Sequence, residues 1–255
     1  MNRFADKIVV ITGGNKGIGL ACSRAFAAEG AKVISIARSD QAEVAREIGP
    51  NFQAMQFDFA IADAEQINGL VRTILENHPR IDVLVNNAGI IRRSPAVDHS
   101  EDDWREVLQV NLTAPFFLTQ SVARWWIQRA AAQAPEPLRL KIVNIASLLS
   151  FQGGITVPAY TASKHGIAGI TRALANEWAS QRININAVAP GYIATDNTQA
   201  LRDNPSRNKA IVERIPQGHW GEPAEIAGTV LFLASADSDY VNGAILNVDG
   251  GWLGR

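Results

Sequence analysis

The chain is poor in cysteine, in long apolar runs and in excess charge of either sign. Its 255 residues include one cysteine, Cys22, which excludes an intrachain disulfide and a thiolate cluster for zinc or iron–sulfur. No apolar run approaches about 20 residues, and the first residues lack a signal peptide's long apolar centre. The formal net charge of −1 gives no basic field for nucleic acid or an anionic membrane. We expect a soluble, cytoplasmic protein without a bound metal and without nucleic-acid or membrane partners.

Short apolar runs alternate with longer helix-periodic segments along the whole chain. The apolar runs are rich in β-branched residues and mostly lack polar alternation, as expected for strands covered on both faces. The predicted strands are residues 7–12, 32–37, 52–57, 82–86, 141–146, 183–188 and 244–248. The predicted helices are residues 17–29, 40–48, 64–77, 100–131, 160–180 and 223–234. This alternation predicts an α/β fold: a Rossmann-type doubly wound parallel sheet of about seven strands with helices on both faces.

Two segments interrupt the alternation, although neither looks like a linker, and we expect one domain over residues 1–255. Residues 131–138 carry two prolines and predict a surface loop. Residues 191–221 follow the sixth predicted strand and hold no strand pattern. Because ligands of open α/β sheets bind outside the carboxyl ends of the strands, residues 191–221 are a candidate substrate lid. A tolerated surface insertion is the alternative.

The segment between the first predicted strand and the first helix predicts a nucleotide-phosphate site. Glycines let the backbone turn sharply and approach a pyrophosphate, whose charge is stabilised by free N–H groups at a helix start. The spacing of Gly13, Gly17 and Gly19 differs from the common Gly-x-Gly-x-x-Gly pattern. Cys22 lies on the apolar face of the following helix and is predicted to be a core residue. The cofactor-binding candidates here are Thr12, Gly13, Asn15, Lys16, Gly17, Ile18 and Gly19.

The end of the second predicted strand bears on the choice between NAD and NADP. A carboxylate there would bind the ribose hydroxyls of NAD, whereas an arginine would attract the 2′-phosphate of NADP. Arg38 directly follows the strand, with no acid before Asp40, and Lys16 is a second nearby cation, so these residues favour NADP. Solvated surface side chains are the alternative for both. Asp58, after the third strand, could accept a bond from the adenine amino group. The fourth strand is followed by Asn87, Ala88 and Gly89, whose small size leaves room for the adenine ribose.

A second group of residues predicts proton-transfer chemistry. Tyr160 and Lys164 are four residues apart, so both lie on one face of a helix. A phenol with a pKa of about 10 is a poor base at neutral pH, and a neighbouring ammonium would lower that pKa. Ser147, at the carboxyl end of the fifth strand, could donate to a substrate oxygen while Tyr160 transfers the proton. Asn111 is polar among apolar neighbours and could bend its long helix and hold a water beside Lys164.

Together these motifs resemble those of the short-chain dehydrogenase/reductase family, over residues 7–252. The resemblance is carried by Thr12-Gly-x-x-x-Gly17-x-Gly19, Asn86-Asn-Ala-Gly89, Asn111, Ser147, Tyr160-x-x-x-Lys164 and Pro190-Gly191. It implies an NAD(P)-dependent oxidoreductase acting on CH–OH groups, with Tyr160 as general acid/base and Ser147 polarising the carbonyl. It also implies that Lys164 binds the nicotinamide ribose and lowers the pKa of Tyr160, and that Asn111 supports a water relay. The cofactor-binding residues implied in addition are Tyr160, Lys164, Pro190, Gly191, Ile193 and Thr195.

Family members are commonly homotetramers in which two helices of neighbouring subunits pack together. Trp125, Trp126 and Trp178 lie on the corresponding helices and are candidates either for that interface or for the core.

A finer resemblance is to family members that act on deoxy-hexonate or uronate-derived sugar acids. It is carried by residues 89–93, 147–154, 189–199 and 239–252. The candidate substrate-binding residues are Arg92, Arg93 and Gln152, together with Ser147 and Tyr160. For the two arginines a solvated loop is the alternative. These relatives are usually NAD-dependent, which opposes the indication from Lys16 and Arg38, so the choice of dinucleotide stays open.

Two other functions compete with this interpretation. A 3-oxoacyl-carrier-protein reductase shares all four catalytic candidates and would need a basic surface near the cleft for its acidic carrier. A nucleotide-sensing binding protein without catalysis would typically lack the tyrosine or the lysine, and this chain has both. His165 and His219 are not assigned a role.

Overall fold

The computed structural model of the chain describes residues 2–130 and 138–255, so most of the predicted surface loop at 131–138 lies outside the described residues. Within them the structure has one sheet of seven strands. The strands are β1 Ile8–Thr12, β2 Lys32–Ala37, β3 Phe52–Gln56, β4 Val83–Asn86, β5 Leu140–Ile145, β6 Ile183–Pro190 and β7 Ile245–Val248. Their order is β3-β2-β1-β4-β5-β6-β7, and every neighbouring pair is parallel. The strand order reverses between β1 and β4, which places a ligand crevice at that point.

Helices cover both faces of the sheet, as predicted. The α-helices are α1 Gly17–Ala28, α2 Ala42–Ile48, α3 Ala64–Asn77, α4 Glu101–Leu108, α5 Ala114–Trp125, α6 Pro158–Trp178, α7 Gln199–Arg202, α8 Pro205–Val212 and α9 Pro223–Ala234. Among the helices that the structure describes, none combines the length and the apolar character that crossing a membrane requires.

The helix predicted over 100–131 is interrupted. Its described part consists of α4, a π-helical turn at Gln109–Thr113, α5 and a second π-helical turn at Trp126–Ala130. Asn111 lies in the middle of the first π turn, which confirms the predicted departure from a regular helix at this residue.

The sheet separates two apolar layers because successive strand residues point to opposite faces. Val10 packs with residues of α3 and α5 on one face. Val9 and Ile11 pack with residues of α1 and α9 on the other, where Cys22 is fully buried, which confirms it as a core residue. Trp126 is also fully buried, and its Nε1 donates to the Gln181 carbonyl oxygen at 2.9 Å. Trp126 is therefore a core residue and not part of a subunit interface.

Residues 191–221, the candidate lid, form a closed excursion that contains α7 and α8. Its base is joined by hydrogen bonds from the Ala194 amide to the Gly221 carbonyl (2.8 Å) and from the Gly221 amide to the Tyr192 carbonyl (2.9 Å). An apolar cluster of Ile211 and Ile215 with Leu148 and Trp252 holds the end of α8 and the segment after it against the body of the protein. The excursion therefore stands beside the carboxyl end of β6.

Candidate active site

A cleft of about 930 Å³, including its open mouth, lies at the carboxyl ends of β1, β4, β5 and β6. Of the predicted site residues, those that line it are Gly13, Lys16, Gly17, Ile18, Asn87, Ala88, Gly89, Ser147, Tyr160, Lys164, Pro190, Gly191, Ile193 and Thr195. Those outside its lining are Thr12, Asn15, Gly19, Arg38, Asp58, Arg92, Arg93, Asn111 and Gln152. The structure thus brings the glycine loop and the Tyr160–Lys164 pair into one cleft.

The glycine loop leaves helix-start N–H groups free of side-chain acceptors. Gly13 and Gly17 have φ angles of +65° and +52°, a region that favours glycine. Lys16 precedes α1 in an extended conformation, and its side chain makes no capping hydrogen bond. A Cβ on Gly19 would lie 2.0 Å from the Gly13 carbonyl oxygen, so a side chain there would destroy the turn. These features fit the pyrophosphate of a dinucleotide.

Thr12 and Asn87 tie the glycine loop to the end of β4. The Thr12 hydroxyl accepts from the Asn87 amide (3.0 Å) and the Ala88 amide (2.9 Å). The Asn87 side-chain amide donates to the carbonyl oxygens of Thr12 (2.9 Å) and Gly13 (3.1 Å). Thr12 therefore supports the loop from behind, which explains why it is absent from the cleft lining.

Two exposed cations flank the outer end of the glycine loop. Lys16 and Arg38 are both exposed, and within the described residues neither side chain makes a hydrogen bond or an ion pair. The Asn15 side-chain amide donates to the Ser39 hydroxyl at 2.8 Å, which joins the loop to the end of β2. Asp58 accepts from the Ala60 amide at 3.0 Å through one carboxylate oxygen, which leaves the other open to an adenine amino group. The arrangement suits a phosphate between two cations.

Lys164 is buried at the floor of the cleft on α6. Its ammonium donates to the Ile145 carbonyl oxygen at 2.6 Å and lies 5.5 Å from the centre of the Tyr160 ring. Burial lowers the pKa of Lys164 to about 8, because the charged form is disfavoured away from water. An ammonium has three donors, so two remain for a ribose hydroxyl and other acceptors.

Burial and two neighbouring groups have opposing effects on the pKa of the Tyr160 phenol. Burial raises the pKa of Tyr160 above its ordinary value, and a hydrogen bond with Ser147 and the charge of Arg93 lower it less than burial raises it. The Lys164 ammonium lies 5.5 Å from the centre of the Tyr160 ring, and its lowering of this pKa stays a prediction. The spacing of four residues puts both groups on one helix face, but the ammonium is directed to a strand carbonyl. Arg93 is the cation that sequence reasoning missed in this role.

The Asn111 side chain makes three hydrogen bonds with protein groups. Its Oδ1 accepts from the Ile90 amide (2.8 Å), and its Nδ2 donates to the Ile90 carbonyl (2.9 Å) and the Ser163 hydroxyl (3.2 Å). Both amide hydrogens are engaged, while Oδ1 keeps a second lone pair that can accept from a water, so the water beside Lys164 stays a prediction. Asn111 instead fixes the segment after β4 against α6.

Two of the candidate substrate-binding residues, Arg92 and Gln152, have protein partners outside the cleft lining. Arg92 forms ion pairs with Glu106 (2.7 Å) and Asp103 (3.4 Å) on α4. The Gln152 side-chain carbonyl accepts from Trp252 Nε1 at 3.3 Å. Neither Arg92 nor Gln152 lines the cleft, and their role in substrate binding stays a prediction.

Of Arg92, Arg93 and Gln152, only Arg93 forms a hydrogen bond with a residue of the cleft lining, within the part of the chain that the structure describes. Its Nη2 donates to the carbonyl oxygen of Asn197 at 3.0 Å. The cleft is also lined by Asp196, Asn197 and Thr198, which sequence reasoning missed as individual residues. Their position in the predicted lid, directly after Thr195, was the available signal.

Comparisons with known proteins agree with this geometry. A family model described as enoyl-(acyl carrier protein) reductase matches residues 13–253. The chain is 47% identical, over 98% of its length and 95% of the relative's, to a Bacillus subtilis (strain 168) protein named 2-dehydro-3-deoxy-D-gluconate 5-dehydrogenase.

Solved structures match over nearly the whole chain. A candidate 2-deoxy-D-gluconate 3-dehydrogenase from Agrobacterium tumefaciens with bound NADP is 50% identical, with a TM-score of 0.88 over 98% of both chains. A gluconate 5-dehydrogenase from Burkholderia cenocepacia J2315 with NADP and tartrate is 35% identical, with a TM-score of 0.91 over 100% of this chain and 98% of the other. With its glycine loop and its tyrosine–lysine pair in one cleft, the chain belongs to the short-chain dehydrogenase/reductase family of oxidoreductases.

Proposed function

We propose that the protein is an NAD(P)-dependent oxidoreductase that interconverts a ketone and a secondary alcohol on a deoxy-hexonate sugar acid of the 2-dehydro-3-deoxy-D-gluconate type. The observation that carries this proposal is the shared cleft of Tyr160, Ser147 and the glycine loop. The names of the relatives support the substrate class, since they include enzymes of 2-dehydro-3-deoxy-D-gluconate and of gluconate.

Tyr160 is the proton donor in the reductive direction. Burial raises the pKa of its phenol, so the group is protonated at neutral pH and can give its proton to the oxygen of the reduced ketone. Ser147 hydrogen-bonds with the phenol and positions the substrate oxygen beside it. A bound nicotinamide dinucleotide supplies or accepts the hydride. In the oxidative direction Tyr160 takes the proton of the alcohol, which requires the phenolate that burial disfavours.

Residues around the cleft hold the dinucleotide in this proposal. The free N–H groups at the start of α1 bind the pyrophosphate, and Lys164 binds the nicotinamide ribose with its unused donors. Lys16 and Arg38 favour NADP(H), because two exposed cations without acid partners attract a 2′-phosphate. NADP in both of the structures compared supports this choice.

A carboxylate on the substrate suits the one arginine left at the cleft entrance. Arg93 has no acid partner among the described residues, whereas Glu106 and Asp103 neutralise Arg92. One arginine is enough to bind a small acid, whereas an acyl carrier protein would need a broader basic surface near the cleft. A binding protein without catalysis is disfavoured because Tyr160 and Lys164 both face the same cleft.

The test is an assay of the purified protein with 2-dehydro-3-deoxy-D-gluconate and each dinucleotide, beside the Tyr160→Phe variant. The variant keeps the ring but loses the exchangeable proton, so its rate falls at least about 100-fold, while dinucleotide binding measured by fluorescence titration is retained. Absence of turnover with this compound and related sugar acids contradicts the substrate class. A Tyr160→Phe variant as active as the wild type contradicts the mechanism.

We also propose that the protein is a cytoplasmic homotetramer. Trp104 is 39% exposed, and Trp125 and Trp178 are half-buried on α5 and α6, which is consistent with a contact between these helices of two subunits.

A further inference from the structure

Two segments that are distant in the sequence border the entrance of the cleft. One is the segment after β4, residues 87–99, which carries Arg93. The other is the turn Asp196–Thr198 at the front of the lid. The hydrogen bond from Arg93 Nη2 to the Asn197 carbonyl oxygen connects them at 3.0 Å, across 104 residues of sequence. Among the hydrogen bonds of the described residues, no other joins residues 87–99 to residues 191–221.

The back of the lid is packed against the body of the protein, whereas its front carries the exposed turn that Arg93 contacts. At the back, the buried side chains of Ile211 and Ile215 pack with Leu148 and Trp252. At the front, Asn197 is exposed, and the contact of Arg202 with the Thr195 carbonyl (3.3 Å) stays within the lid. Leu201 of α7 also packs against this cluster, so the bond from Arg93 is an additional contact that holds the turn Asp196–Thr198. Loss of that bond would let the exposed turn move.

Arg93 has donors to spare at this position. A guanidinium has five N–H donors, and the described residues engage one of them, on Nη2. Asn197, which accepts from Arg93, lines the cleft, so the unused donors lie beside the cleft lining. Arg92, next in sequence, differs because its guanidinium is engaged by Glu106 and Asp103.

We propose that Arg93 is a latch that holds the lid through the Asn197 carbonyl and binds the substrate carboxylate with its remaining donors. An anionic substrate would then tighten the lid over the cleft. The carboxylate half of this inference rests on the proposed function, whereas the latch itself concerns the protein alone. A carboxylate forms paired, charge-assisted bonds with a guanidinium, and a neutral polyol of the same length does not. Closure of the lid is thereby coupled to the negative charge of the substrate.

Hydrogen exchange of the full-length, ligand-free protein tests the latch. Arg93→Gln removes the charged donor, so exchange of the amides at 195–202 becomes roughly tenfold faster. Arg93→Lys keeps a cation with a donor and stays closer to the wild type. Arg207→Gln is the matched control, because it removes an exposed lid cation whose side chain makes no hydrogen bond among the described residues. Equal exchange at 195–202 in the wild type and Arg93→Gln overturns the latch.

The proposed binding of the substrate carboxylate by Arg93 is tested by amide hydrogen exchange in the presence of NADP and either D-gluconate or D-glucitol. We expect gluconate to slow exchange at 195–202 in the wild type but not in Arg93→Gln, and glucitol to have no such effect. Equal protection by the two compounds, protection by neither, or gluconate protection that survives in Arg93→Gln overturns this half. If sugar acids are not turned over while Arg93→Gln still exchanges faster, the proposed function is contradicted and the latch is supported.

Discussion

Three influences set the acidity of the Tyr160 phenol, and they do not point in one direction. Burial raises its pKa most, while the Ser147 hydrogen bond and the charge of Arg93 lower it. The protein without ligand therefore keeps the phenol protonated, which suits reduction of a ketone. Oxidation of an alcohol needs the phenolate, so the groups that lower the pKa matter most in that direction.

Removal of the Ser147 hydroxyl therefore changes the pH dependence of alcohol oxidation. Ser147→Ala eliminates an interaction that lowers the pKa of Tyr160, so this pKa rises and the phenolate forms at higher pH. We expect the rising limb of the pH–rate profile to move to higher pH, with a rate loss of about 100-fold near neutrality. Steady-state oxidation rates between about pH 7 and about pH 11, a range that extends past the ordinary pKa of a phenol, provide the measurement. A limb at the wild-type pH would show that Ser147 does not act on the phenol.

Arg38 is expected to bind the 2′-phosphate of NADP and so to favour NADP over NAD. Arg38→Asp replaces an attractive charge by a repulsive one, so the ratio of kcat/KM for NADP(H) to that for NAD(H) falls about 10- to 100-fold. Matched kinetics with the two dinucleotides measure this ratio. Arg46→Asp, the same charge change on α2, serves as the control and is expected to leave the ratio unchanged. An unchanged ratio in Arg38→Asp as well would mean that this side chain does not contact the phosphate.

At the scale of elements, the π-helical turn at Gln109–Thr113 connects α4 to α5 and, through Asn111, contacts the segment after β4. Asn111 in that turn satisfies both backbone groups of Ile90 and reaches Ser163 on α6. Since Ile90 lies three residues before Arg93, this side chain also supports the position of the proposed latch.

Substitution of Asn111 by an apolar residue is expected to destabilise the fold. Asn111→Leu leaves the Ile90 amide and carbonyl without their partners, which costs roughly 2–5 kcal/mol of unfolding free energy. Urea denaturation followed by circular dichroism measures the change. Asn51→Leu, an exposed position just before β3, is the control and is expected to alter stability by less than about 0.5 kcal/mol. A loss in Asn111→Leu no larger than in the control would contradict this account.

The element pattern was largely predictable because it depends on local periodicity. The runs 32–37, 64–77 and 223–234 were predicted with the bounds that the structure has. The interruption of the long helix was predicted only as a bend at Asn111. Its π-helical form depends on contacts with Ile90 and Ser163, which lie 21 and 52 residues away. Periodicity carries no information about such contacts.

At the scale of the whole molecule, the proposed tetramer follows from apolar surface that a single chain leaves uncovered. Trp104 is 39% exposed and Ile127 38% exposed in the described structure. Light scattering coupled to size-exclusion chromatography is expected to give four times the chain mass of 27.6 kDa. A mass equal to that of one chain would contradict the proposed assembly.

Short-range spacing was enough to predict the order of strands and helices along the chain, the glycine loop, and the face shared by Tyr160 and Lys164. The partner of each charged side chain became known only from the folded structure. Lys164 reaches the Ile145 carbonyl, Arg92 is neutralised on α4, and Arg93 reaches the lid across 104 residues. Such pairings depend on distances between elements brought together by folding, since electrostatic and hydrogen-bond energies are set by position in space.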